Sequence, residues 1–311
     1  MNSIMNSIDT ALKKLICFSS IALMTSNAAS AFENQGSQAL PERHGKVSTQ
    51  LFLGATDSQA FNQPLIVGLG GSEGGNPWAS QYWKAQRERF LAQGYAFLAL
   101  GYFATKESPA QLDRISLDAV HAAVMDAAKE PHINRRCIVL IGGSKGAELV
   151  LTLASYYKEY GAVVAIVPSS AIFPALTMTM DTSSLSYQGQ ELTFVPFTPD
   201  AYPAIVKRDF RSAFAAMMEN KTAMEKAAIK VENIQGSVLF LSAKEDEMWP
   251  STEMSEQMMQ RLKEKNFSYF TQHIAIEGGH AAPLKHFDVV EEFLQAHFRK
   301  SKSECSLPNR D

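Results

Sequence analysis

A serine flanked by glycines is the feature of this sequence with the clearest chemical potential. Residues 142–146 read Gly-Gly-Ser-Lys-Gly, which has the spacing G-x-S-x-G. Residues 137–141 form an apolar run of strand length, and residues 147–154 have the pattern of a helix. A strand, a sharp turn and a helix are the context in which this motif exposes a serine nucleophile. We predict that Ser144 is a nucleophile; the alternative is a tight strand–helix junction in which the serine caps the helix.

Three carboxylates, Glu245, Asp246 and Glu247, follow the apolar run 237–241. The acid that supports such a serine comes later in the chain, just after a strand. Asp246 fits best because it is the short carboxylate, four residues before the proline that precedes the next helix. We predict Asp246 as the acid with Glu245 as second choice, and the alternative is a solvated acidic loop or a helix cap.

One of the seven histidines, His280, follows the last apolar run and a flexible pair of glycines. An imidazole at that point can swing toward the serine. We predict that His280 takes the proton of Ser144 and returns it to the leaving group, while Asp246 holds the required tautomer. His286, six residues further on, is the fallback.

A second glycine-rich loop occupies residues 70–75, after a short apolar run. A dinucleotide fingerprint that starts at Gly68 would need glycine at position 73, where the sequence has Glu73. The loop suits a different task, because acyl transfer needs two backbone N–H groups close to the developing oxyanion. We predict that these donors are the N–H groups of Lys145 and Ser72, with Glu73 as the alternative to Ser72; a simple tight turn is the other interpretation.

The composition excludes several classes of protein. The chain has 311 residues, 46% of them hydrophobic, and 29 basic against 32 acidic residues give a net charge of −3. Such a chain can bury a large core, is unlike a disordered protein and lacks the basic charge of a nucleic-acid binder. No cluster of His, Cys or Asp has the spacing of a metal site, so we expect no metal and no cofactor.

The first 31 residues have the layout of a secretory signal peptide. Lys13 and Lys14 precede the apolar run 15–24, and small residues surround the end at Ala31. Ten apolar residues are too few to cross a hydrocarbon core of about 30 Å. We expect cleavage after Ala31, a periplasmic or secreted protein, and no stable membrane span after cleavage; the alternative is an amphipathic helix or an uncleaved anchor.

Two cysteines, Cys137 and Cys305, remain outside that leader. The first belongs to an apolar run that predicts a buried strand, and the second lies in a polar tail. We expect them to be unpaired.

Apolar runs of strand length alternate with stretches of helical pattern through most of the chain. This alternation predicts an α/β fold with a mostly parallel central sheet and helices on both faces. The expected strands are 46–53, 65–69, 96–100, 137–141, 162–167, 237–241 and 269–276, and the expected helices are 81–92, 112–128, 145–159, 252–265 and 287–298.

Residues 169–235 interrupt the alternation before the strand that bears the acid. This insertion is too long for an ordinary connection and contains one expected helix, 212–229. We interpret it as a cap over the site, with a passive excursion as the alternative. The expected organisation is a signal peptide at 1–31, a lead-in at 32–55, one domain at 56–300 and a polar tail at 301–311. Aromatic residues near the expected site could line an apolar pocket or simply pack: Trp78, Tyr102, Phe103, Tyr187, Phe194, Phe197 and Trp249.

Six segments follow one another in an order typical of a known family: 70–75, 97–103, 143–148, 184–189, 239–249 and 278–280. Together they resemble the catalytic domain shared by acyl-CoA thioesterases and bile-acid-CoA:amino-acid N-acyltransferases, in the dienelactone-hydrolase-like branch of α/β-hydrolases. The resemblance spans about residues 60–300 and is most specific at Ser-Lys-Gly-Ala-Glu, 144–148. It implies an α/β-hydrolase fold with Ser144, Asp246 and His280 as the triad.

Two features separate this chain from that family. The family usually has a β-sandwich domain before the catalytic domain, whereas only the lead-in 32–55 is expected here. The leader also directs the protein to a compartment in which acyl-CoA is scarce. We expect an exported serine hydrolase that acts on a small acyl ester or thioester and binds no nucleic acid. The alternatives are a cytoplasmic acyl-CoA thioesterase or acyltransferase, and an inactive hydrolase-like binding protein.

Overall fold

A seven-stranded sheet forms the centre of the protein. The structure, a computed structural model, describes residues 39–54, residues 62–299 and Cys305. The order of the strands is β1-β3-β2-β5-β6-β9-β10, and a small second sheet has the order β4-β7-β8. The strands are β1 (Ser48–Phe52), β2 (Gln63–Leu69), β3 (Ala96–Gly101), β4 (Ile115–Ser116), β5 (Ile133–Gly143), β6 (Tyr160–Ile166), β7 (Leu185–Tyr187), β8 (Gln190–Glu191), β9 (Ser237–Ala243) and β10 (Thr271–Ile276).

The central sheet is parallel except at one edge, where β1 pairs antiparallel with β3. Strands β2, β6 and β9 are buried along their whole length, which explains their continuous apolar runs. All seven strands of this sheet lie where the sequence predicts them, within a few residues at the ends. Strand β1 lies within the expected lead-in, 32–55, and pairs with β3 in the central sheet.

Helices cover both faces of the sheet. Alternate residues of β2 show the division, since Leu65 and Val67 belong to one core cluster and Ile66 belongs to the other. Helices α2, α3 and α7 contribute to the first cluster, and α1 and α8 contribute to the second. The helices are α1 (Lys84–Ala92), α2 (Leu117–Ala127), α3 (Lys145–Tyr156), α4 (Tyr202–Val206), α5 (Phe210–Met218), α6 (Lys221–Ala227), α7 (Ser251–Glu264) and α8 (Phe287–Phe293).

The insertion 169–235 contains more structure than the single helix expected at 212–229. That helix is divided into α5 and α6, because the Asn220 side chain accepts a hydrogen bond from the N–H of Ala223 and so begins a new helix. The insertion also supplies α4 and the strands β7 and β8. Its apolar side chains form a third cluster, which packs around Phe173 and Trp249.

A disulfide joins Cys137 to Cys305, so the expectation of two unpaired thiols was wrong. Cys305 is buried and packs in the same core cluster as Cys137, on the face covered by α8. The two residues are 168 positions apart in the chain. The residues around Cys305 are polar and give no sign that this cysteine returns to the core. The local sequence therefore could not predict the disulfide.

The architecture is that of an α/β-hydrolase, as the sequence predicts. Within the parts of the chain that the structure describes, no helix is both long and apolar enough to cross a membrane. The expected signal peptide, 1–31, lies outside the described residues, and so do residues 32–38 of the lead-in and most of the tail.

Candidate active site

Ser144 occupies a strained turn between β5 and α3. Its backbone has φ 56° and ψ −121°, a conformation that non-glycine residues rarely adopt and that concentrates at functional sites. The N–H of Ser144 donates to the carbonyl of Ile166 on the neighbouring strand, at 2.9 Å. Its side chain makes no capping hydrogen bond to α3. The capping alternative therefore has no support, and the hydroxyl is left at the positive end of the helix.

Two glycines of the motif are required by close packing. A β-carbon on Gly142 would lie 2.2 Å from the carbonyl oxygen of Gly146, and one on Gly146 would lie 2.2 Å from that of Gly70. A β-carbon on Gly143 would meet nothing within 4 Å. The spacing G-x-S-x-G thus reflects two backbone contacts. One of them brings the glycine loop 70–75 against the start of α3.

The glycine loop after β2 is held from its other side by Tyr102. The buried hydroxyl of Tyr102 donates to the carbonyl of Gly70 at 2.8 Å and lies 3.3 Å from that of Gly71. Burial raises the pKa of this phenol well above its usual value, so it remains a donor. Because Gly70 also touches Gly146, the loop with Ser72 is fixed beside the first turn of α3. The N–H of Lys145 lies in that turn, where it has no partner within the helix.

His280 and Asp246 form a direct contact at the carboxyl end of the sheet. The Nδ1 atom of His280 lies 2.8 Å from Oδ1 of Asp246, whose side chain is fully buried. The N–H groups of Met248 and Trp249 also approach Oδ1, at 3.0 and 3.3 Å. The carboxylate is thereby oriented toward the imidazole, and the other imidazole nitrogen remains available for proton transfer.

The two competing carboxylates have other surroundings. Glu247 Oε2 accepts a hydrogen bond from the backbone N–H of His280 at 2.8 Å, so it positions the histidine loop rather than the ring. Glu245 is exposed, and its N–H donates to the carbonyl of Gly278. Among these three acids, Asp246 is the partner of the imidazole.

Trp249 and Val167 support the site in a way that sequence patterns did not reveal. The indole ring of Trp249 lies edge-on to His280, with 5.7 Å between the ring centroids, and its Nε1–H donates to the carbonyl of Val167 at 3.1 Å. Val167 has a φ of 44°, which is strained for a β-branched residue. Val167 follows β6 and lies in the wall of the cavity. Its strained conformation could not be predicted from the sequence.

A buried ion pair lies in the first turn of α3, next to Ser144 in the chain. Lys145 Nζ is 2.7 and 2.8 Å from the two carboxylate oxygens of Glu148, and neither side chain is more than 5% exposed. Burial lowers the pKa of Lys145, and the Glu148 charge opposes that effect. Glu148 also accepts hydrogen bonds from Ser169 at 3.2 Å and from Ser184. The pair therefore joins the first turn of α3 to the insertion.

A cavity of about 290 Å³ contains both Ser144 and His280 in its walls. Ser72, Glu73 and the mostly apolar side chains of Trp78, Trp83 and Leu284 also line it. Of the aromatic residues considered from sequence, Trp78 faces this cavity; the others named with it do not. His286 is also absent from its walls.

The insertion 169–235 touches the site but lines no wall of this cavity. Arg211 of α5 donates to the backbone carbonyl of Asp246 at 3.0 Å, and Ser169 and Ser184 reach Glu148. The insertion therefore contacts the loop that carries Asp246 and the helix α3 that follows Ser144, and it helps to hold both in place.

No group of three or more His, Cys, Asp or Glu side chains within residues 39–54 and 62–299 could hold a metal ion. The chemistry available at this site is that of a serine, an imidazole and a carboxylate, with backbone N–H groups beside them.

Comparison with known proteins identifies the family. A sequence model described as "BAAT / Acyl-CoA thioester hydrolase C terminal" matches residues 119–295, more than half of the chain. The match includes Ser144, Asp246 and His280, whereas the glycine loop of Ser72 precedes it. The chain belongs to this family.

Among the similar proteins are an acyl-coenzyme A thioesterase and an N-acyltransferase, both from Mus musculus. Acyl-coenzyme A thioesterase 5 is 28% identical over 233 residues, which are 75% of this chain and 51% of that protein. Acyl-coenzyme A amino acid N-acyltransferase 1 is 28% identical over 174 residues, which are 55% of this chain and 38% of that protein. The chain thus spans about half, or less, of the length of these relatives.

A solved structure supports the fold. The puromycin-hydrolyzing peptidase of Mycobacterium tuberculosis superposes with a TM-score of 0.57 and 12% identity, over 81% of this chain and 37% of the peptidase. At that identity, the likeness shows the shared fold and nothing of the substrate.

Proposed function

We propose that this protein is a serine hydrolase that cleaves a carboxylic ester or thioester through an acyl-enzyme on Ser144. The observation that carries the proposal is the contact of 2.8 Å between His280 and Asp246. His280 and Ser144 line the same cavity, and Ser144 lies there in a strained turn. The family supports it, because its members include acyl-CoA thioesterases.

The proposed reaction has two halves, acylation of Ser144 and hydrolysis of the acyl-enzyme, and His280 acts first as base and then as acid in each half. Ser144 Oγ attacks the acyl carbon while His280 Nε2 takes its proton, and the N–H groups of Ser72 and Lys145 stabilise the oxyanion. The intermediate collapses, the bond to the leaving oxygen or sulfur breaks, and that atom receives the proton from His280. Water then attacks the acyl-enzyme while His280 takes a proton from it. The bond between the acyl carbon and Ser144 Oγ breaks, and Oγ receives that proton from His280, which releases the carboxylic acid and restores Ser144. Asp246 stabilises the imidazolium throughout.

Labelling with a fluorophosphonate probe, together with hydrolysis of 4-nitrophenyl butyrate, tests this mechanism. We expect Ser144→Ala and His280→Ala to abolish labelling, and we expect Asp246→Asn to lower kcat by about 10⁴-fold. Ser72→Ala is the matched control, because the proposed donor is a backbone N–H that the substitution retains. A Ser144→Ala protein with full esterase activity would refute the mechanism.

We further propose that the protein is exported to the periplasm or secreted. Two observations support this: the signal-like pattern at 1–31 and the disulfide between Cys137 and Cys305. Disulfides persist in oxidising compartments and are rare in the cytosol. Fractionation, the mass of the mature protein and thiol alkylation without reductant test it. An uncleaved cytoplasmic protein with two free thiols would refute export.

The second candidate is a cytoplasmic acyl-CoA thioesterase or acyltransferase, and the similarity to such relatives favours it. Matched acyl-CoA and 4-nitrophenyl esters of the same acyl groups separate the candidates, with glycine added to detect amide formation. A strong preference for acyl-CoA in an uncleaved protein would favour the second candidate. A folded protein that no probe labels and that cleaves no ester would instead be a hydrolase-like binding protein.

A further inference from the structure

A carboxylate lies inside the candidate active-site cavity, close to the nucleophile. Glu73 Oε2 and Ser144 Cβ lie 3.0 and 3.1 Å from the point that a Gly71 β-carbon would occupy. The sum of these distances, about 6 Å, is therefore the largest separation possible between the two atoms. Glu73 Oε1 lies 2.8 Å from the corresponding point of Gly70. The side chain thus folds back over the glycine loop, beside Ser144.

The surroundings of this carboxylate are apolar and aromatic. Trp78, Tyr82 and Trp83 line the same cavity, and the two tryptophan rings stack with 4.6 Å between their centroids. Burial raises the pKa of Glu73, while the backbone N–H groups of Gly71 and Glu73 and the nearby His280 oppose the shift. Among the described residues that line the cavity, neither lysine nor arginine occurs to balance the charge.

An ionised Glu73 opposes the build-up of negative charge on the acyl oxygen. His280 offsets part of this effect once it is protonated, and a cation on the substrate would offset more of it. The oxyanion of acyl transfer develops next to Ser144, and a like charge within several ångströms disfavours it. A cation on the substrate would offset Glu73 and would also be attracted to the faces of the surrounding rings. An anionic group in the same position would be repelled.

The geometry points to a substrate whose acyl group carries an ammonium group, with Glu73 as the residue that selects it. This inference rests on the proposed function, because it concerns an acyl group bound to Ser144. For an ammonium group about 6 Å from the Glu73 carboxylate, an effective dielectric of about 20 makes one unit charge worth about a hundredfold in affinity.

Three 4-nitrophenyl esters of similar shape test the inference. The cationic ester has a 4-(trimethylammonio)butyryl group, the neutral ester has the isosteric 5,5-dimethylhexanoyl group, and the anionic ester has a glutaryl group. Each kcat/KM is measured with the mature protein, and a Ser144→Ala blank corrects for spontaneous release. We compare the kcat/KM for the cationic ester with the kcat/KM for the anionic ester. Because a variant that impairs the shared acyl-transfer chemistry lowers both values equally, their ratio reports only the effect of charge.

We expect the wild-type ratio of cationic to anionic ester to be about 100 or more, and Glu73→Gln to lower it at least about tenfold. Glu88→Gln removes the same charge from the exposed face of α1 and should leave the ratio unchanged. Trp83→Leu should lower the ratio of cationic to neutral ester by about threefold to tenfold. Thermal melting shows whether each variant is folded.

The inference is overturned if Glu73→Gln keeps the wild-type ratio. It is also overturned if the wild-type enzyme cleaves the neutral ester better than the cationic one, an outcome that needs no variant. Either result leaves the proposed serine hydrolase intact, because Ser144-dependent cleavage of the neutral ester would persist. Loss of the proposed function would appear differently, as the absence of cleavage of all three esters.

Discussion

Gly146→Ala tests whether the proposed oxyanion hole depends on the contact between the two glycine loops. The new β-carbon would lie 2.2 Å from the carbonyl oxygen of Gly70 and 3.0 Å from that of Leu69. Real β-carbons keep at least 3.0 Å, so the Gly70 carbonyl must retreat by most of an ångström. Tyr102 holds the same carbonyl from the other side at 2.8 Å, which limits how the loop can relax.

The expected effect is on turnover more than on stability. A displacement near 1 Å in a positioned group costs about a hundredfold, and loss of one oxyanion donor costs about 10²–10³ in kcat. We therefore expect kcat on 4-nitrophenyl butyrate to fall about a hundredfold, with a smaller change in KM. Overpacking costs about 1–3 kcal/mol, and replacement of a helical glycine by alanine recovers about 1 kcal/mol of it.

Gly143→Ala is the matched control, since its β-carbon would meet nothing within 4 Å. Gly143 lines the same cavity, but its new methyl group would touch no protein atom, so we expect its kcat to stay within about threefold of the wild-type value. Steady-state kinetics, the rate of fluorophosphonate labelling and thermal melting measure both variants. A Gly146→Ala protein that melts as the wild type does and keeps its kcat would refute the role of this contact.

Three further predictions concern buried groups. Tyr102→Phe leaves the Gly70 carbonyl without its donor, so we expect a loss of about 1–3 kcal/mol in denaturant unfolding and a lower kcat. Glu148→Gln leaves the Lys145 ammonium buried and unpaired, which should cost about 3–5 kcal/mol in the same assay. The double substitution Lys145→Met, Glu148→Leu should recover most of that loss, and no recovery would contradict the ion-pair explanation. Cys305→Ser opens a loop with a sequence separation of 168, so unfolding should become easier by about 5 kcal/mol, and reductant should bring wild-type protein to the same level.

Much of the fold follows from pattern alone. Buried parallel strands such as β2, β6 and β9 are apolar along their whole length, and helices separate them, so both types of element are visible as runs. The ends of elements are harder to predict, because capping depends on individual side-chain hydrogen bonds that the periodicity of apolar residues does not show. Asn220, which divides one expected helix into two, is an example.

The candidate site was visible where the chemistry has a local signature. Ser144 lies in a motif whose glycines are required by backbone contacts, and His280 and Asp246 follow strand ends in the expected order. Trp249, Val167 and Glu73 have no such signature. Val167 and Glu73 are ordinary residue types that packing brings to the cavity, and Trp249 is brought against His280.

The sequence by itself determined the α/β-hydrolase class, the order of the strands along the chain and the residues able to supply a nucleophile, a base and an acid. These properties depend on periodicity and on short motifs, which are local. Only the tertiary structure decided which carboxylate meets the imidazole, that the tail returns to pair Cys305 with Cys137, and that Glu73 lies beside Ser144. In each case two separate parts of the chain meet, and whether they meet depends on how the whole sheet packs. No local pattern therefore encodes these contacts.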